Sequence, residues 1–507
     1  MRTEALPRAP SAHQEGQPPG QVHAAPVVVS VSLLAAVVVA RHLGTKPLWR
    51  DEAISVSVAT RPLLRVLSVL PHHDANAGLY YSLLHFWLRL GSSTVWARGF
   101  SAVCFTAAAG LAGWAASRWW GWEIGLACGL LVATNPFLVY YGQETRPYSL
   151  AFLLAVLSTI TLFWHGERPA AGWYVATTIA LVYVNLFAVL LVAAMAGAVV
   201  LVHLRRHQPV PKVLIRGWVA IAGASAPLAG LMLIGEGGQI GWLTRPTVAT
   251  LVRTWTAMAG GWLGLALMLA LAATAAIVTA RNRPAEDQVV VAALAAAFAV
   301  PIPTLWAVAQ VVPSYLERYV ICSVVGLIGL VGAGLRVVID VAGPVAAAAV
   351  LVVLLVIGGQ HTAQMEAVAF KIDNAPAVVD FINSRSQPGD AIGYAGGGLR
   401  ILVNASRPGA PTAARFHNPP AFPNDVALAP GGEEFRQHDL YAIEVSPTVL
   451  AQRLAGVQRL WLLTDSTDLR YPQDGPFAKL RSLVTGEFTP RASGSFGAVD
   501  VTLLVRR

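Results

Sequence analysis

Leu79-Tyr-Tyr-Ser-Leu-Leu-His-Phe-Trp-Leu-Arg-Leu90 decides the reading of this chain, because counting it as a membrane span inverts the sidedness of everything after it. Length decides against a span. Twelve residues extend only about 18 Å as a helix, against a hydrocarbon core of about 30 Å. Ser82, His85 and Arg89 also interrupt its apolar face, so the segment is expected to lie flat at the interface. Residues 44–98 then form one long loop on a single side.

Outward from that loop, uncharged runs near span length occur at residues 26–43, 99–117, 123–141, 148–165, 170–185, 187–204, 214–235, 255–280, 289–312, 319–336 and 341–360. They predict a polytopic α-helical membrane domain over residues 26–360 with about eleven transmembrane helices. Residues 1–25 lack a basic, compact signal-peptide start and read as a disordered cytoplasmic tail, which makes the first span an uncleaved anchor. From Pro169 to Leu204 there is no Asp, Glu, Lys or Arg, and parity asks for two tight spans turning near Asn185. With the N-terminus inside, the basic clusters Arg205, Arg206, Lys212 and Arg281, Arg283 fall in the cytoplasm, where positive charge is favoured. After His361 the composition turns polar. A helical pattern at Ala375–Ser384 and short apolar runs at Ala391–Tyr394, Arg459–Leu463 and Ala498–Val505 predict a separate α/β domain over 361–507. An odd number of spans places it outside the cytoplasm.

Composition agrees with this architecture. Of 507 residues 55% are hydrophobic and 12% charged, about half the charged share of soluble domains. A soluble enzyme, a disordered chain or a nucleic-acid binder needs a more polar surface, and no Lys/Arg-rich run suggests nucleic acid. Cys104, Cys128 and Cys322 each lie in an apolar stretch, so they build neither a disulfide framework nor a zinc cluster. Arginine outnumbers lysine 32 to 4, which points toward a GC-rich bacterial genome.

Three outer segments carry chemistry-bearing residues. Trp49-Arg50-Asp51-Glu52 puts two carboxylates a few residues past the first span, where an acid can take a proton from an attacking hydroxyl or hold a divalent metal against a phosphate. The plainer alternative is a solvated loop with a snorkelling arginine. Tyr140-Tyr141-Gly142-Gln143-Glu144-Thr145-Arg146-Pro147-Tyr148 follows the third span, with Pro147 suited to open the next helix. Its tyrosines alone would read as an interfacial belt. Tyr315-Leu316-Glu317-Arg318-Tyr319 precedes a late span, and Arg318, like Arg98, suits a lipid phosphate or ordinary snorkelling. His72-His73-Asp74 reads as a solvated loop rather than a metal site, and Glu236–Trp242 as a simple connector.

Taken in order, these segments resemble the glycosyltransferase-C superfamily, in its branch with the protein O-mannosyltransferases and the aminoarabinose transferase of lipid A. The resemblance covers about residues 26–340. It rests on Asp51-Glu52, on Asn76-Ala-Gly-Leu-Tyr-Tyr-Ser-Leu-Leu-His85 leading to Arg98-Gly-Phe-Ser101, on Gly142-Gln-Glu-Thr-Arg-Pro-Tyr148 and on Glu317-Arg318-Tyr319. It departs at His72–Gly78, where many relatives carry His-Pro-Pro, and at Arg146–Phe152, which lacks an aspartate found in many relatives. The resemblance implies sugar transfer, with inversion, from a polyprenyl-phosphate donor on the extracytoplasmic face of a bacterial plasma membrane. Asp51 would be the catalytic base, assisted by Glu52 and Glu144. Arg318, Arg98 and Arg146 would bind the donor phosphate, with Tyr80, Tyr148 and Tyr319 lining the substrate pocket. By family frequency mannose is the expected sugar, with arabinose, glucose or galacturonic acid as alternatives; the acceptor is an envelope glycan, lipid or protein. No cofactor is required by this reading, and a divalent metal (Mg or Mn) stays open. A transporter or flippase of lipid-linked sugars is the competing class, although charges cluster at outer ends with no internal repeat. A receptor, the third class, would leave Asp51 dispensable.

Overall fold

The computed structural model describes residues 24–69, 75–163, 169–235, 243–368, 371–396, 398–406, 423–427, 445–465 and 476–507. The tail up to residue 23, His72-His73-Asp74 and Glu236–Trp242 lie outside the described residues.

Among the described residues, seven helices are long and apolar enough to cross a membrane: Thr94–Trp120, Ala188–Arg205, Lys212–Leu231, Trp262–Asn282, Glu286–Val308, Glu317–Ala342 and Pro344–Glu366. Trp122–Thr134 and Pro136–Gly142 together make an eighth. Ala24–Ala40, Tyr148–Leu162 and Ala171–Val184 are apolar but shorter. Every expected run is therefore helical, though several differ from a plain rod.

The run expected at 123–141 is bent by 59° at Asn135. Proline disfavours the helical conformation of the residue before it, and Asn135 caps the new helix by accepting from the Leu138 N–H at 3.1 Å. The bend carries the segment that follows Gly142 toward the first loop. The run expected at 255–280 is likewise two helices, Val248–Met258 and Trp262–Asn282, parted at Gly260 and Gly261, whose φ values of +73° and +110° suit glycine. Finally, Pro344–Glu366 continues past the expected boundary at residue 360.

Contacts between helix ends show that successive segments alternate direction. Arg283 and Asp340 pair at one end, 2.7 Å apart, beside Trp119 and Trp120. At the other end Asn185 reaches Tyr319, and Glu144 meets Lys371. The turn near Asn185 thus lies at the end that carries the first loop.

That loop is itself helical: Arg50–Ala59, Leu63–Val69, a 3-10 turn at Ala75–Ala77, then Gly78–Leu88. The last has 11 residues, too few to cross. His85 Nδ1 lies 2.9 Å from the Ala59 carbonyl, and Trp87 and Trp96 stack at 4.7 Å, so the loop packs onto the bundle instead of hanging free.

The C-terminal domain holds a five-stranded sheet in the order β2-β1-β3-β5-β4, with β1 Ala391–Ala395, β2 Asn424–Asp425, β3 Arg459–Asp465, β4 Phe488–Phe496 and β5 Val499–Arg506. β1 runs parallel to β2 and β3; β5 is antiparallel to β3 and β4. Helices Ala375–Asn383, Leu399–Ala405, Pro447–Ala455 and Pro476–Thr485 complete an α/β domain. The alternation at 498–505 marked β5 from sequence; β4, rich in Gly and Ser, gave no such signal.

Candidate active site

The site begins at the helix Arg50–Ala59. Successive residues on a helix point about 100° apart, so the adjacent acids Asp51 and Glu52 face different surroundings. Glu52 turns inward and is fully buried. Its Oε1 and Oε2 accept from Arg98 Nε and Nη2 at 2.8 and 2.7 Å, and Oε1 also accepts the Thr145 N–H at 2.9 Å. Burial by itself would raise the Glu52 carboxyl, but the Arg98 charge and hydrogen bonds outweigh it and hold it below its usual value.

Arg98 is 1% exposed, and all five of its N–H groups meet protein oxygens. Besides Glu52 these are the carbonyls of Leu43, Lys46 and Pro47, at 2.8 to 3.0 Å. Arg98 was expected to bind donor phosphate and Glu52 to assist catalysis. The geometry leaves neither a free donor nor an open face for that work, and instead makes them a buried clasp joining the first span, the first loop and the segment at Thr145.

Asp51 points the other way and keeps a quarter of its side chain exposed. Its Oδ2 lies 3.2 Å from Arg318 Nη2 and 3.8 Å from Arg146 Nη2. Arg146 also donates to Ser55 Oγ at 3.1 Å. Tyr148 lies between the two cations, its ring centre 5.8 Å from the Arg146 guanidinium carbon and 5.9 Å from that of Arg318, while Trp49 covers Arg318 at 5.7 Å. Residues far apart in sequence therefore converge on one carboxylate.

Glu144 is buried and pairs with Lys371 Nζ at 2.9 Å. Lys371 also donates to the Gln143 carbonyl and sits 4.3 Å over the Tyr140 ring. Burial, with the nearby Glu52 charge, raises the Glu144 carboxyl despite Lys371. Glu144 thus stands behind the site, not in its open face. Of the three tyrosines expected to line the pocket, Tyr148 lies beside both Arg146 and Arg318. Tyr80 is fully enclosed beside Tyr81 and Phe100, and Tyr319 stacks on Phe187 at 4.6 Å.

Lys371, Asp373 and Asp465 were missed from sequence. All three come from the C-terminal region, and only the rarity of lysine could have drawn attention to Lys371. Among the described residues no group of three His, Cys, Asp or Glu side chains converges. Asp51 already faces two guanidinium groups, so a Mg or Mn ion would meet positive charge there, and these residues do not fit one.

A helical membrane protein whose loop carboxylate is held by two arginines at one end of the bundle defines the class. Its fold is that of ArnT from Cupriavidus metallidurans. The apo structure aligns with a TM-score of 0.58 and 11% identity, covering 95% of this chain and 98% of that one. ArnT bound to undecaprenyl phosphate aligns with a TM-score of 0.54 and 12% identity over 94% and 97%. ArnT belongs to the glycosyltransferase-C superfamily, so the fold expected from the resemblance is the fold observed. No family model and no curated protein matches the sequence.

Proposed function

We propose that this protein is an integral membrane glycosyltransferase that moves a sugar, mannose by the sequence resemblance, from a polyprenyl phosphate to a hydroxyl on an extracytoplasmic glycan, lipid or protein. The observation that carries the reading is the convergence of Asp51, Arg146 and Arg318. The ArnT fold, solved with undecaprenyl phosphate, supports the donor class.

The chemistry follows from the charges. The donor's lipid tail stays in the bilayer while its phosphate draws Arg318 and Arg146 away from Asp51. That carboxylate then accepts the acceptor hydroxyl's proton as the oxygen attacks the anomeric carbon from the face opposite the phosphate. The carbon–oxygen bond to phosphate breaks, its electron pair leaves on the phosphate, and configuration inverts. The two arginines stabilise the charge gathering on the leaving oxygen.

The test is transfer from radiolabelled polyprenyl-phosphate mannose, with membrane abundance controlled. Asp51→Asn is expected to lower transfer by about 10²- to 10⁴-fold, the range for loss of a general base. Arg318→Ala is expected to raise the donor KM more than the acceptor KM. Normal transfer by Asp51→Asn would exclude the base, and lipid-linked sugar crossing the bilayer without transfer would favour the flippase.

A further inference from the structure

The helix that presents Asp51 caps itself only at the Trp49 N–H, which Glu52 Oε2 accepts at 3.4 Å. The helix's first N–H groups need acceptors from outside it, and the indole of Trp49, at the cap position, has no acceptor atom. Asp373, 323 residues further along, supplies one: its Oδ2 accepts the Arg50 N–H at 3.0 Å. Its Oδ1 lies 3.3 Å from Arg50 Nη2, and Asp465, the last residue of β3, holds Nη1. Both acids are almost wholly buried, at 1% and 3% exposure.

These acids are themselves anchored. Asp373 pairs with Gly497 in a β-bridge beside the β4–β5 turn, and Asp465 belongs to the central strand. Gly398 adds a steric stop. Its φ is +74°, and a Cβ there would come 2.9 Å from Arg50 Cγ and 3.1 Å from Ile54 Cδ1, so the backbone of the domain rests directly on the helix.

We propose that the C-terminal domain positions the catalytic carboxylate, Asp373 and Asp465 fixing the rotation and axial height of the helix through Arg50. This rests on the reading of Asp51 as the base. The physical reason is adjacency. A bond to a backbone N–H one residue before Asp51 fixes where the carboxylate points, since one residue of slip turns it by about 100°. A carboxylate at a helix N-terminus also complements the helix dipole. If the domain served only to bind acceptor, it would have no need to grip this turn.

The test uses the full-length protein, varying donor and acceptor separately. Asp373→Ala is expected to lower kcat by about 10- to 100-fold, the scale of a small misplacement of a reacting group, and to leave both KM values within about twofold. Asp373→Asn, which still offers an acceptor to the Arg50 N–H, is expected to recover part of the loss. An unchanged kcat, or a rise confined to the acceptor KM, overturns the proposal. If Asp373→Ala does not accumulate in membranes, Asp465→Asn, which leaves the cap intact, is read in the same way. Asp51→Asn is measured alongside. Full transfer by that variant defeats the base assignment, whereas its loss together with a silent Asp373→Ala defeats only the positioning role.

Discussion

At the scale of residues, direction on a helix divides the labour of two neighbouring acids. Glu52 faces Arg98 in a dry contact, and Asp51 faces the open arginines. Removing one partner of a buried ion pair strands the other charge, which costs about 3–5 kcal/mol. Glu52→Gln is expected to destabilise the protein on that scale, with a definite pH dependence. Because folding lowers the Glu52 carboxyl below its ordinary 4.5, its contribution is present above that pH and is lost as pH falls through the lowered value. Thermal unfolding in detergent should therefore show a gap between wild type and Glu52→Gln that is widest above pH 4.5 and closes in acid. A gap independent of pH would contradict the assignment.

At the scale of elements, breaks in the helices place the chemistry. The bend at Asn135 turns a span into the platform from which Thr145 and Arg146 reach the first loop. The turn between Pro169–Val184 and Ala188–Arg205 does comparable work for Arg318. Asn185 there is 4% exposed and donates to the Tyr319 carbonyl at 3.0 Å, while Phe187 stacks on the Tyr319 ring. Both contacts hold the 3-10 segment Glu317–Ser323 that carries Arg318. Asn185→Ala removes that hydrogen bond, at a cost of about 0.5–1.5 kcal/mol. It is expected to lower thermal stability by that amount and to raise the donor KM severalfold. An unchanged donor KM would show that Arg318 keeps its place without this turn.

At the scale of the whole molecule, alternating helices gather one set of ends around Asp51 and the other around Arg283 and Asp340. The positive-inside preference predicts a cytoplasmic location for the second set. The native cysteines are buried, so single added cysteines report sidedness with little background. Ser384→Cys in the C-terminal domain is expected to react with an impermeant maleimide on intact cells, and Asn282→Cys only after permeabilisation; the reverse pattern would invert the topology. Apolar run length by itself announced the helices and the small C-terminal domain, because the cost of burying polar groups in hydrocarbon acts on each segment independently of the others. The ordered motifs likewise exposed Asp51, Arg146 and Arg318. What tertiary structure alone decided was who pairs with whom. Glu52 and Arg98 close on each other, Lys371 enters from beyond the last span, and Asp373 caps a helix 323 residues away. Such pairings depend on side-chain direction and on contacts between distant parts of the chain, and neither leaves a periodic trace in a sequence.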